Sequence, residues 1–134
     1  ERLKIVLGSA TDPPDQHKSI VKGQHIAEGG PQSIEVASIE IHHAIEPIIK
    51  QILEAARQVL ERIPPEVASD LHDRGLVLTG GISLLAGLDE RMRQATGLPV
   101  LVAESPRQSV GRGLIALYDQ PLLLRRIARN VDLA

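Results

Sequence analysis

Leu76-Val77-Leu78-Thr79-Gly80-Gly81-Ile82-Ser83-Leu84-Leu85-Ala86-Gly87-Leu88-Asp89 reads as a buried strand, a tight glycine turn and the start of a helix. Leu76 to Leu78 form a short apolar run of the kind a strand shows when it is covered on both faces. Gly80 and Gly81 allow positive φ or close approach of the backbone, which a Cβ would hinder. A helix that follows such a turn presents unpaired N–H groups and a partial positive charge. Open α/β sheets bind ligands at the carboxyl ends of their strands. The turn is therefore the candidate place for a nucleotide, although many strand–Gly-Gly–helix turns bind nothing.

The rest of the composition limits the alternatives. The chain has 134 residues, enough for one modest domain or two small lobes. Hydrophobic residues make up 43% and charged residues 24%, the balance of an ordinary soluble globular protein. Phe and Trp are absent and Tyr118 is the single aromatic residue, so the core must be aliphatic. Aromatic platforms for single-stranded nucleic acid are thereby excluded. A net charge of −2 gives no basic field for phosphate backbones, and no nucleic-acid partner is expected. With no Cys there are no disulfides, thiolate metal sites or cysteine nucleophiles. No apolar run approaches a membrane span and no signal peptide opens the chain, so a cytoplasmic location is expected. The chain starts at Glu1-Arg2-Leu3-Lys4 without an initiator Met, as a segment cut from something longer would.

Working outward from the organising stretch, Glu1 to Leu7 reads as the end of a helix stopped at Gly8. Asp12-Pro13-Pro14-Asp15 is a loop. Lys18 to Ala27 is a weak strand and Gln32 to Ala37 a half-buried one, which together would make an antiparallel ribbon. Ser38 is expected to cap a long helix. Its apolar residues recur at Ile41, Ala44, Ile45, Ile48, Ile49, Ile52, Leu53, Ala56, Val59, Leu60 and Ile63, the stripe of a core-facing helix. Pro47 predicts a kink there, or two helices meeting. Pro64-Pro65 ends that helix and starts another, to about Asp73, with Val67, Ala68 and Leu71 inward. Beyond the glycine turn, a helix is expected from Leu84 to Ala95 with Gly97 as its cap. A buried strand over Pro99 to Ala103 follows, then helices over Ser109 to Tyr118 and Leu122 to Asn130. Gly111 and Gly113 in the first of these two helices predict close packing or a ligand. From Gly75 onward the β-α-β-α order predicts a mostly parallel sheet.

Few residues carry chemistry on spacing alone. Glu1 and Lys4 lie three apart on one helical face, where a solvated surface pair outweighs a ligand contact. His42 and His43 point about 100° apart on a helix and do not chelate one metal together; both read as polar surface. His17, His25 and His72 are scattered. Ser9 and Ser83 have no neighbour that suggests a nucleophile triad. The basic terminal helix is expected to pack on the domain rather than on a membrane.

Several runs together resemble the C-terminal part of the MreB family of bacterial actin-like rod-shape proteins. These are Glu1-Arg2-Leu3-Lys4-Ile5 with Gly8-Ser9-Ala10, Pro64-Pro65-Glu66 with Asp70, and above all Asp73-Arg74-Gly75-Leu76-Val77-Leu78-Thr79-Gly80-Gly81. Leu84-Leu85, Gly87-Leu88-Asp89, Thr96-Gly97-Leu98-Pro99-Val100 and Ala103-Glu104-Ser105-Pro106 continue the match. It covers nearly the whole chain and is weakest over Asp12 to Pro31.

The resemblance implies an α/β fragment of the actin-like ATPase (ribonuclease H-like) fold, with a mostly parallel sheet core. Residues 1–46 would belong to the small upper subdomain of the second lobe and 47–134 to the lower subdomain. It also implies cofactor contacts. Glu1 and Lys4, and the loop Gly80, Gly81, Ile82 and Ser83, would approach the nucleoside part of ATP. Magnesium would be bound in the parent protein by residues outside this chain, and none of the family's phosphate hairpins occurs here. Ile82 stands where the family usually has a third glycine, and His42-His43 stand where it usually has Arg-Glu.

By the same resemblance the parent is a filament-forming cytoskeletal protein that directs rod shape and cell-wall synthesis. Its partners would be further copies of itself, the wall-synthesis machinery, and the membrane through segments absent here. The parent would be a slow ATPase and this chain alone inactive. The alternatives are another ATPase of the same superfold, a chaperone or sugar kinase, or an interaction module without a nucleotide.

Overall fold

The computed structural model describes residues 2–13, 15 and 17–131, without the side chains of residues 2 and 129–131. Helix α1 (Arg2–Leu7) ends where the Gly8 N–H bonds the Lys4 carbonyl at 3.0 Å, as the glycine stop predicts. Strands β1 (Lys18–Gln24) and β2 (Pro31–Ala37) form the expected antiparallel ribbon, with Val21 opposite Ile34 and Ile20 opposite Glu35. The ribbon is more open than its alternation suggests. Ile34 is 55% exposed, because only the base of the ribbon, around Val36 and Ala37, meets the following helix.

Helix α2 (Ser38–Leu60) is one unbroken helix through Pro47. Proline removes a single hydrogen bond. Ile45 before it and Ile49 and Leu53 after it all pack in the same core, so the helix continues through the proline and the alternative of two helices meeting there is not realised. Ser38 does not cap this helix. It already lies within the first turn, where its hydroxyl cannot reach forward to the free N–H groups. Instead it is buried and donates to the Asp15 carbonyl at 3.0 Å, while its own N–H bonds the His17 carbonyl. Glu40 takes the capping role by accepting the Ala37 N–H at 2.8 Å.

Helix α3 (Pro65–Arg74) begins on Pro65 as expected but buries no residue, and Val67 is exposed. Strands β3 (Leu76–Leu78) and β4 (Val100–Val102) then pair in parallel, with Leu76 opposite Val100 and Leu78 opposite Val102. Helix α4 (Leu88–Thr96) connects them and ends at Gly97. It starts at Leu88 rather than Leu84. The intervening residues form a 3₁₀ turn (Gly81–Leu84), and Ala86 makes a parallel bridge to Ser9. Gly87, at φ 74° with Thr11 packed against its Cα, resets the backbone before α4 can begin. After a second 3₁₀ turn (Pro106–Gln108) come α5 (Ser109–Tyr118) and α6 (Pro121–Val131), which pack on each other.

Ala10, Ile49, Leu53, Leu88, Met92 and Val100 form the core, flanked by Ile45, Ile52, Leu76, Leu78 and Leu85. It is wholly aliphatic, as the composition requires. The expectation of strands covered on both faces fails. Val77 and Leu101, opposite each other on the second face of the parallel pair, are each 60% exposed, and no described element lies over them. The expected close packing at Gly111 and Gly113 is also not found: a Cβ built at either meets nothing within 4 Å. Leu114, Ile115 and Leu122 are likewise exposed, so α5 and α6 do not pack on the core.

Candidate functional site

The parallel pairing of β3 and β4 brings both of their outgoing loops to one edge of the sheet. Gly80 leaves β3 there at φ 83°, in the left-handed region that favours glycine. Its N–H donates to the Pro106 carbonyl at 2.8 Å, which ties the loop after β3 to the loop after β4. A cleft of about 780 Å³ opens beside this junction, between α1, α2 and the two loops. Ile5 and Val6 from α1, Ala44, Ile45 and Ile48 from α2, and Leu84 to Ala86 line it.

Three of the sequence-predicted residues, Lys4, Gly81 and Ile82, line this cleft together. Residues remote in sequence thus meet across it. Gly81 leaves open space where a Cβ would stand. Gly80 and Ser83 belong to the turn but not to the wall. The Ser83 hydroxyl is buried and donates to the Gly80 carbonyl at 2.7 Å, so it braces the loop from inside. Glu1 lies outside the described residues.

Arg107 also lines the cleft and was not singled out from the sequence. The signal was available in the topology. In a β-α-β unit the loop after the second strand lies beside the loop after the first, so the residues following Val102 belong to the same edge as Gly80. With Lys4, Arg107 gives an otherwise apolar cleft two cationic side chains. The described walls carry no carboxylate, and among the described residues no three His, Asp or Glu side chains converge on a metal position.

Behind the cleft, Arg91 of α4 holds three elements together. It donates to both Glu46 carboxylate oxygens, at 3.0 and 3.1 Å, and to the Ala10 carbonyl at 2.7 Å. The hydrogen bond from Arg91 holds the Glu46 carboxyl below the usual glutamate range, and the same bond raises the Arg91 guanidinium. Lys50 approaches Glu46 at 3.5 Å. His42, read from the sequence as polar surface, is in fact 6% exposed. It lies one helical turn before Glu46, on the side of α2 that the 9–12 segment covers, and its ring reaches Ser9. His43, on the next face, is exposed as expected.

The sequence pattern of the MreB/Mbl protein family matches residues 1–125. The cell shape-determining protein MreB of Escherichia coli is 45% identical over 114 residues, covering 84% of this chain and 33% of that protein. The cell shape-determining protein Mbl of Bacillus subtilis is 41% identical over 120 residues, covering 89% of this chain and 36% of that one. The chain thus spans about a third of the length of these relatives. Crystal structures of MreB5 of Spiroplasma citri superpose on 96% of the chain, with a TM-score of 0.82 for the form bound to ADP and 0.80 for the form bound to AMPPNP. At 23% and 22% identity these two establish the fold, an actin-like one of which the chain holds a part. No described helix is long and apolar enough to cross a membrane. With the fold, the glycine turn and the matched residues in agreement, the chain belongs to the MreB/Mbl family.

Proposed function

We propose that this chain supplies the nucleoside side of an ATP site, and part of the filament surface, in an actin-like cytoskeletal protein that sets bacterial cell shape. The observation that carries it is the cleft where Lys4 of α1 meets Gly81 and Ile82 at the carboxyl edge of the parallel strands. Lys4 and Arg107 would cover the base and ribose, and the open space at Gly81 would admit the nucleoside against bare backbone. Glu1, Gly80 and Ser83 complete the assigned set, the last two by shaping the turn. The ADP and AMPPNP forms of the Spiroplasma citri protein support a nucleotide as the ligand. The phosphates and magnesium are assigned to parts of the parent outside this chain, since the described cleft offers no carboxylate to hold the ion.

The β1–β2 ribbon with residues 1–46 is assigned to the small upper subdomain and the remainder to the lower one. In the parent, the ends of these two parts meet neighbouring subunits in a filament, at a cytoplasmic, membrane-associated location in contact with the wall-synthesis machinery. Phosphoryl transfer depends on positioning and charge stabilisation around the γ-phosphate. The isolated chain therefore binds ATP no better than millimolar, about −4 kcal/mol, and does not turn it over. Titration with Mg-ATP, followed by amide chemical shifts with phosphate release measured in parallel, is the test. Shifts at Lys4, Gly81 and Ile82 without release are the expected result. No shifts there at millimolar ATP would favour an interaction module without a nucleotide, and steady release would mean a phosphate site within this chain.

A further inference from the structure

His42 sits between two hydrogen-bond acceptors. Its Nδ1 lies 2.9 Å from the Ser9 carbonyl oxygen and its Nε2 lies 3.4 Å from a carboxylate oxygen of Asp12. A carbonyl only accepts, so Nδ1 carries a proton. A neutral imidazole has one N–H. In that form Nε2 would turn its lone pair toward the carboxylate and repel it. Only the imidazolium both donates to the Ser9 carbonyl and carries the positive charge that pairs with the exposed Asp12 carboxylate. The surrounding charges are few. The exposed His43 ring stands 5.8 Å away, centroid to centroid, on the next face of α2. Glu46 lies one turn further along α2 and is engaged by Arg91 and Lys50. Arg91 reaches in from α4 and is held by Glu46 and the Ala10 carbonyl. Arg91 also feels the Asp12 carboxylate, whose charge helps to raise the guanidinium, though no contact between them within ion-pair distance is seen among the described residues.

We infer that His42 is a proton-dependent clasp: the imidazolium joins α2 to both Ser9 and Asp12, and the neutral ring keeps Ser9 but releases the Asp12 loop. The sign follows from the favoured form. The clasp is closed where the ring is protonated and open where it is neutral, so it loosens as pH rises. Its position gives it reach. Ser9 bridges Ala86, the Ala10 N–H bonds the Ala86 carbonyl at 2.7 Å, and Gly8 and Ala86 both line the cleft. Proton binding at His42 thus acts on the Ser9–Asp12 segment behind the cleft, while Asp15 and His17 nearer β1 are held separately by Ser38.

The test is a pH series on this chain by NMR, following the His42 ring Hε1 and the amides of Thr11 and Asp12, with the other four histidines as internal references. In the wild type the two amides should move with the His42 ring, through one shared midpoint. Asp12→Asn replaces an exposed acceptor by an amide that donates to the neutral Nε2, so the coupled amide movement should be lost while the fold persists. His42→Gln should lose it as well; where that variant fails to fold by circular dichroism, Asp12→Asn alone decides. Amides that stay fixed while the His42 ring titrates would overturn the inference, and so would an undiminished movement in Asp12→Asn.

Discussion

The Glu46–Arg91 pair tests whether the elements behind the cleft are held by a desolvated ionic contact or by apolar packing alone. Both side chains are roughly four-fifths buried, at 21% and 22% exposure. Solvent-exposed pairs contribute about 0.2–1 kcal/mol, whereas removing one partner of a buried pair costs about 3–5 kcal/mol. This pair lies between those limits, and Arg91→Ala also strips a hydrogen bond from the Ala10 carbonyl. Lys50 at 3.5 Å remains to screen the Glu46 charge that is left behind. The expected loss is about 2 kcal/mol, a fall in Tm of roughly 5–10 °C for a chain of this size. The pH dependence separates the ionic part. Glu46 in the folded chain is held below its unfolded value, near about 4.3, chiefly by the Arg91 hydrogen bond. Its contribution is therefore complete above that value and disappears as pH falls through the folded pKa. Thermal unfolding of wild type and Arg91→Ala should differ by a constant amount from neutral pH down to mildly acidic pH. The gap should narrow below about pH 4.3, down to the share owed to Ala10. Glu46→Gln should be destabilised at neutral pH and lose the acid-dependent part. A gap of less than about 0.5 kcal/mol, or one that does not change with pH, would refute the desolvated ionic clasp.

Ile49, 1% exposed at the centre of the core, should cost about 2–5 kcal/mol when replaced by Ala, read from urea unfolding; a loss within experimental error would mean that α2 is not seated as described. Gly81→Val should leave the unfolding midpoint nearly unchanged, since a Cβ there meets nothing within 4 Å. It should nevertheless abolish the ATP-induced shifts at Lys4 and Ile82, and retention of those shifts would remove the turn from the site. In the parent protein, charge reversals on the exposed faces of residues 38–46 and of α6 should reduce the pelleted fraction in an assembly assay, and normal pelleting of both variants would withdraw those faces from the filament surface.

The parts legible in the sequence are those where local chemistry and tertiary packing agree. The α2 stripe, the Gly8 stop, the ribbon, the parallel β3–β4 pair and the span of α5 all follow from periodicity and glycine or proline punctuation. What failed needed knowledge of neighbours. Leu76-Val77-Leu78 has the composition of a strand covered twice, but composition does not say which elements lie above it; Val77 is exposed because no described element does. Pro47 left open a kink or two helices meeting, and with core contacts on both sides the helix runs on through it as one element. Ser38 has the type of a capping residue, but its position one step inside the helix gave that role to Glu40.

The candidate site divides along the same line, and the division explains why its weakest points in sequence carry the most specific chemistry in space. Gly81 and Ile82 could be named because a glycine turn after a strand is a local pattern. Lys4 could be paired with them only through the resemblance, since 76 or more residues separate them in the chain. Arg107 required following topology one loop further. His42 was legible as a histidine on a helix but not as a buried one. What buries it is the 9–12 segment, which is fixed in turn by Ser9 bridging Ala86 and by Arg91 binding the Ala10 carbonyl. Its environment is thus set by contacts that span most of the chain, while its chemistry, two nitrogens facing two acceptors, is set by the side chain itself. Sequence supplies the group and topology supplies the partners. For that reason the cleft, lined by Gly8 and Ala86, and the clasp behind it, held at Ser9, are joined by the Ser9–Ala86 bridge, and a perturbation of one is expected to register in the other.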